Sequence, residues 1–90
     1  MDKHNDPTIH NAEFNTEFVN ISICTVRNFE EAKEKVINLR QKGYGAVELC
    51  GAFGKDRAKE LISLTNNEIS VGYVTNEPEQ KELTAKFWCN

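Results

Sequence analysis

The fold is decided at residues 45–54, which read GAVELCGAFG. Residues 45–50 are nearly all apolar, which is typical of a central strand in a parallel sheet. The turn GAFG follows at residues 51–54, and apolar residues at helical spacing begin directly after it. This order predicts a strand, a tight turn and a helix.

A strand and a helix precede this segment, and another strand follows it. Within residues 18–26, the apolar side chains of Val19, Ile21 and Ile23 alternate with the polar ones of Asn20 and Ser22, which is the period of a strand. Asn28 and Glu31 have the spacing of a helix capping box, and Gly43 suits the end of that helix. Residues 69–74 predict the last strand. We therefore predict an α/β fold, a small open parallel sheet ordered β-α-β-α-β plus a short C-terminal helix, in two layers.

Length and local composition suggest the domain organisation. A chain of 90 residues corresponds to one domain. Residues 1–17 are polar and irregular, so we interpret them as an N-terminal arm in front of a single α/β domain at residues 18–90. Within the arm, Asp6 and Pro7 suit the cap and first position of one helical turn.

Charge and cysteine content narrow the classes of function. Eleven Lys and Arg against fourteen Asp and Glu give a net charge of −3, which argues against nucleic-acid binding. No apolar run is long enough for a membrane span or a signal peptide, so we expect a cytoplasmic protein without membrane association. The spacing of Cys24, Cys50 and Cys89 argues against a structural zinc site or disulfides. We predict reduced thiols, inert at Cys24 and Cys89, with no metal and no cofactor.

The carboxyl ends of the predicted strands are the expected location of a ligand. At the middle end, Gly51 and Gly54 allow a sharp turn that exposes amides at a helix start, where anions bind. Lys55 adds positive charge there, and Arg27 is a further ligand-binding candidate at the end of the first strand. The loop matches neither a Walker loop nor G-x-G-x-x-G, so an ordinary strand-to-helix turn is the alternative interpretation.

Three side chains are candidates for catalysis. Glu48 interrupts an apolar strand, so it is either a general acid, base or ligand anchor, or a carboxylate that reaches solvent or a salt bridge. Cys50 lies near a helix N-terminus, which activates thiols, although a small buried hydrophobic residue is the alternative. His10 is either a base near the sheet edge or a surface histidine on a mobile arm.

The string ELCGAFG at residues 48–54 resembles the E-L-C-G-G-F-G signature of a small bacterial family of unknown function. Residues 6–10, 29–32 and 71–74 are similar to further landmarks of that family, in the same order. The resemblance covers roughly residues 6–75 and supplies no substrate. It implies a shared site at His10, Glu48, Cys50, Gly51 and Gly54.

The chain departs from that family pattern in two places. Ala52 replaces the second glycine of the signature, a change that is expected to restrict the turn. Family members also begin with a further apolar strand, where this chain has only residues 1–5. A sheet without that strand has an open edge that favours pairing between chains, so we predict a homo-oligomer.

Three functions are compatible with these residues. We favour a domain that binds a small polar or anionic ligand at the carboxyl ends of its strands. The second is a small enzyme, an isomerase, lyase or hydrolase, that depends on Cys50 and Glu48. The third is a structural or oligomerisation module, in which Phe87 and Trp88 are candidate anchors for a partner. The alternative for these two residues, together with Leu83, is that they hold the C-terminal helix on the core.

Overall fold

The computed structural model describes residues 1–88, so Cys89, which was predicted to be inert, lies outside the described residues. The described chain is a mixed α/β structure with four strands and three α-helices. It forms two compact units, a first unit at Met1–Tyr44 and a second unit that begins at Gly45. The strands form two separate sheets of two strands each.

The sheet of the first unit is an antiparallel hairpin of β1 (Asn11–Asn15) and β2 (Asn20–Cys24). The backbone N–H of Thr16 donates to the carbonyl of Val19 at 2.8 Å, and the N–H of Val19 donates to the Thr16 hydroxyl at 2.9 Å. These two hydrogen bonds close the connection and set the register of the strands.

The segment that forms β1 was predicted to be irregular, and that prediction is wrong. Residues 11–15 read NAEFN, and Asn, Ala and Glu are all depleted in strands. The strand forms because β2 supplies its hydrogen-bond partners, an interaction that the composition of the segment alone does not reveal.

Helix α1 (Phe29–Gln41) begins where the capping box predicted. The Asn28 side chain accepts a hydrogen bond from the backbone N–H of Glu31 at 2.9 Å, which satisfies one of the free amides of the first turn. Phe29, Ala32, Val36 and Leu39 have the spacing of one helix face, and Ala32 and Val36 of this face are buried.

The second unit is built on a parallel β-α-β arrangement, as predicted. Strand β3 (Ala46–Leu49) pairs in parallel with β4 (Ser70–Tyr73). Helix α2 (Gly54–Leu64) connects the two strands and packs against β4. Leu61 of this helix and Thr65, the residue that follows its last turn, are fully buried. The Thr65 hydroxyl donates to main-chain carbonyls of the same helix, so its burial leaves no free donor.

A 3-10 turn at Pro78–Gln80 leads into the last helix, α3 (Lys81–Trp88). Leu83, Phe87 and Trp88 were predicted to hold this helix on the core, and the structure leaves all three exposed. The rings of Phe87 and Trp88 meet edge to face, with centroids 4.9 Å apart.

The prediction of one open parallel sheet is therefore confirmed only for β3 and β4. Strand β2 was expected to join that sheet, and it pairs with β1 instead, in antiparallel orientation. Closing the loop at residues 16–19 costs little chain entropy, whereas a parallel crossover orders a whole helix between its strands. Within residues 1–88 no helix has the length and apolar character that crossing a membrane requires. A cytoplasmic location stays a prediction.

Candidate functional site

The carboxyl ends of β3 and β4 lie side by side in the second unit. The backbone N–H of Val74 donates to the carbonyl of Leu49 at 3.0 Å, one residue beyond the paired strands. The loop that leaves β3 starts against this edge, because a β-carbon built at Gly51 would lie 3.4 Å from the Val74 carbonyl oxygen. The carboxyl edge at which we expected a ligand is therefore formed by two parallel strands.

The loop at residues 50–54 makes the tight turn that its glycines predicted. The backbone N–H of Phe53 donates to the carbonyl of Cys50 at 3.2 Å and closes the turn. Gly54 has a φ of +75°, a conformation that strains any residue with a β-carbon. Ala52 does not adopt a positive φ, so the turn accepts alanine where the family signature is expected to have glycine.

The start of α2 differs from the start of α1 because no side chain caps it. Phe53 occupies the N-cap position and its side chain makes no capping hydrogen bond. The first amides of any α-helix lack partners inside the helix, and they carry a partial positive charge. Lys55 is exposed within this first turn, and Asp56 adds one negative charge. The N–H groups of such a helix start can donate hydrogen bonds to the oxygens of an anion.

Glu48 and Cys50 lie at the same strand end and are both exposed. The interpretation of Cys50 as a buried hydrophobic residue is therefore wrong. Among residues 48–50 only Leu49 is buried. Within residues 1–88 neither the Glu48 carboxylate nor the Cys50 thiol has a hydrogen bond or an ion pair. The thiol is accessible, but no base is bonded to it. Cys24, by comparison, is partly buried.

His10 lies in the first unit, where it is part of a hydrogen-bonded turn. The backbone N–H of Asp6 donates to His10 Nδ1 at 2.9 Å, and the Thr25 hydroxyl donates to the His10 carbonyl at 2.7 Å. This geometry places the proton of a neutral His10 ring on Nε2 and occupies the Nδ1 lone pair. The His10 ring thus holds the turn that begins at Asp6. The His10 backbone is in turn held by Thr25, the residue that follows β2.

Asp6 caps the same turn, as predicted for a single helical turn. Its carboxylate accepts the Thr8 hydroxyl at 2.7 Å and the Thr8 backbone N–H at 3.0 Å. These hydrogen bonds, the hydroxyl first, lower the pKa of Asp6 below its usual value because they stabilise the charged form.

Arg27, a predicted ligand-binding residue, is bound to Glu31 in the first unit. Its guanidinium donates from Nη2 to Glu31 Oε2 at 2.7 Å, and its backbone N–H donates to Oε1 at 2.8 Å. The guanidinium hydrogen bonds are the main reason why the pKa of Glu31 is lowered and that of Arg27 is raised. An incoming anion would have to compete with this carboxylate.

Sequence reasoning did not anticipate a cleft in the first unit. The cleft has a volume of about 400 Å³ and is lined by Pro7, Val26, Glu31, Glu34, Lys35 and Asn38. The available signal was the helical spacing of the last four residues, which puts them on one side of α1. Among the described residues, no group of three His, Cys, Asp or Glu side chains is placed to hold a metal ion.

The predicted site residues divide between the two units. His10 and Arg27 belong to the first, and their polar atoms are engaged in local structure. The second unit brings five together at one strand end: Glu48, Cys50, Gly51, Gly54 and Lys55. At that strand end the side chains of Glu48, Cys50 and Lys55 are exposed, beside the first amides of α2.

The chain matches the model of a known protein family. A model described as a family of unknown function (DUF6506) matches residues 1–89. No curated protein matches the chain, and neither does any solved structure. The bacterial origin and the E-L-C-G-G-F-G signature of the family stay predictions. Because the match extends over nearly the whole sequence, the chain belongs to the DUF6506 family of unknown function.

Proposed function

We propose that the second unit binds a small anionic ligand, one that carries a phosphate or carboxylate group, at residues 50–55. The observation that carries this proposal is the uncapped start of α2, which follows a turn held by the positive φ of Gly54. The turn places the first amides of the helix at the carboxyl ends of two parallel strands, where ligands of α/β sheets are usually found.

The charges around residues 50–55 are consistent with an anion that binds with modest affinity. Lys55 is exposed in the first turn and adds a full positive charge to the partial charge of the helix start. Asp56 lies in the same turn and opposes an anion. Two or three hydrogen bonds to a charged group, at about 1.5 kcal/mol each, correspond to a dissociation constant on the order of 1 mM for inorganic phosphate.

Calorimetric titration with inorganic phosphate at low ionic strength tests the proposal. The informative variant is Lys55→Gln, and Lys59→Gln is the matched control, since Lys59 is also exposed and lies about one turn further along α2. We expect Lys55→Gln to weaken binding about fivefold, as one charge pair near the surface contributes about 1 kcal/mol. Lys59→Gln should bind like the unmodified protein. Equal affinity in all three proteins would contradict the proposal.

Thiol chemistry at Cys50 is a second candidate function, favoured by the exposure of its sulfur. The binding proposal and the enzyme candidate differ in what they require of this residue. If the loop binds through amides and Lys55, Cys50→Ser retains phosphate affinity. A small enzyme that uses Cys50 and Glu48 would lose turnover in the same variant while keeping its ligand.

A further inference from the structure

The hairpin of the first unit carries apolar side chains on one face. Residues that are directly opposite in a pair of strands project from the same side. Phe14 faces Ile21 across the hairpin, and Ala12 faces Ile23. Strand alternation puts Val19 on the same side. We name these five residues the hairpin face.

The hairpin face is open to solvent. Phe14, Val19, Ile21 and Ile23 keep between 48% and 58% of their surface exposed. Phe18, in the connection between the strands, is 87% exposed and extends the apolar surface at the tip. A contiguous apolar surface of this kind is typical of an interaction site.

The opposite face of the hairpin is polar, and part of it is covered. The hydroxyls of Ser22 and Tyr44 share a hydrogen bond of 2.5 Å, and Ser22 is partly buried. Cys24, on the same side, is also partly buried, whereas Glu13 is exposed. The hairpin thus engages its polar side within the unit and presents its apolar side outward. In an antiparallel sheet with one covered face, the apolar side is normally the covered one.

We propose that the hairpin face is the contact surface for a second copy of this chain. The face contains no charged side chain, so two copies can meet without burying an unpaired charge. Residues 11–24 contain no Lys or Arg and include Glu13 and Glu17, which disfavours an anionic lipid surface as the occupant. Two twisted sheets pack face to face about 10 Å apart, and a two-fold axis makes such a contact self-complementary.

The area of the large apolar side chains of the hairpin face, together with that of Phe18, suits a dimer of moderate affinity. A large apolar or aromatic residue presents about 150–250 Å² of surface. The exposed fractions of Phe14, Phe18, Val19, Ile21 and Ile23 then leave roughly 600 Å² per subunit. Two copies would bury about 1,200 Å², which is at the lower end of the range for specific, stable interfaces.

Sedimentation velocity over a wide range of protein concentration tests this proposal. We expect the unmodified chain to shift from monomer to dimer as its concentration rises. The double variant Ile21→Thr/Ile23→Thr keeps β-branched side chains and hence strand propensity. It should weaken dimerisation at least about tenfold. The control Val74→Thr removes an apolar group that is 55% exposed in the second unit, and it should dimerise like the unmodified chain.

A monomer at every concentration would overturn the proposal, as would a double variant that dimerises with unchanged affinity. If the double variant does not fold, hydrogen exchange measured on the unmodified chain tests the proposed contact surface instead. Exchange at residues 11–24 should slow as protein concentration rises, because the dimer suppresses opening of the hairpin. Exchange rates in this segment that do not depend on concentration would refute the proposed surface.

Discussion

Replacing Gly54 with alanine tests whether its backbone conformation is needed for the loop. Its φ of +75° costs a residue with a β-carbon about 1–2 kcal/mol. An added β-carbon would meet no atom within 4 Å, so no clash increases this cost. Alanine also restricts the unfolded chain, which offsets about 0.4–1 kcal/mol. The expected net loss in free energy of unfolding is about 1 kcal/mol, which corresponds to a drop in Tm of about 4–8 °C.

Gly43→Ala is the matched control for this substitution. Gly43 has a φ of +94° just past the end of α1, and its added β-carbon would also meet no atom within 4 Å. Urea denaturation should therefore give similar losses of stability for the two variants. Phosphate titration, at a temperature where both are folded, should weaken only for Gly54→Ala, because only there does relief of strain shift the start of α2. Unchanged stability of Gly54→Ala, or equal loss of phosphate affinity in both variants, would refute this reasoning.

Four further measurements test other parts of the structure. Leu61→Ala should lower the free energy of unfolding by about 2–5 kcal/mol in urea denaturation, because Leu61 is fully buried. The lowered pKa of Asp6 means that its charged form stabilises the N-terminal turn above the unfolded-state value of about 3.9. This contribution should disappear as the pH falls through the lower folded-state pKa, and Asp6→Asn should lose that pH dependence. Nitrogen-15 NMR should find the proton of neutral His10 on Nε2, and a proton on Nδ1 would contradict the turn geometry. In the folded protein, alkylation should modify Cys50 before Cys24.

The elements predicted correctly are those whose signals are local. Helix α1 was predicted from Asn28 and Glu31, which form their capping hydrogen bond within one turn of chain. The strand at residues 46–49 and the turn after it were predicted from an apolar run that ends in glycine. Strand β1 was missed because the pairing of residues 11–15 with β2 is not encoded in their own composition.

The candidate site was predictable in its backbone and less so in its side chains. The need for Gly54 follows from conformational sterics, which act on a single residue. The exposure of Cys50 depends on what covers the strand end, which sequence spacing does not specify. The pairing of Arg27 with Glu31 was not predictable from spacing, because Arg27 lies before the N-cap Asn28 and a separation of four residues indicates an ion pair only within a helix.

The most direct test of the proposed anion site is a map of backbone amide chemical shifts during titration with inorganic phosphate. If the uncapped start of α2 binds the anion, the largest shifts should fall on Gly54, Lys55 and Asp56. They should saturate with a single dissociation constant, and the amides at the start of α1 should stay unchanged because Asn28 caps that helix. Small shifts spread over both helix starts, without saturation, would contradict the site.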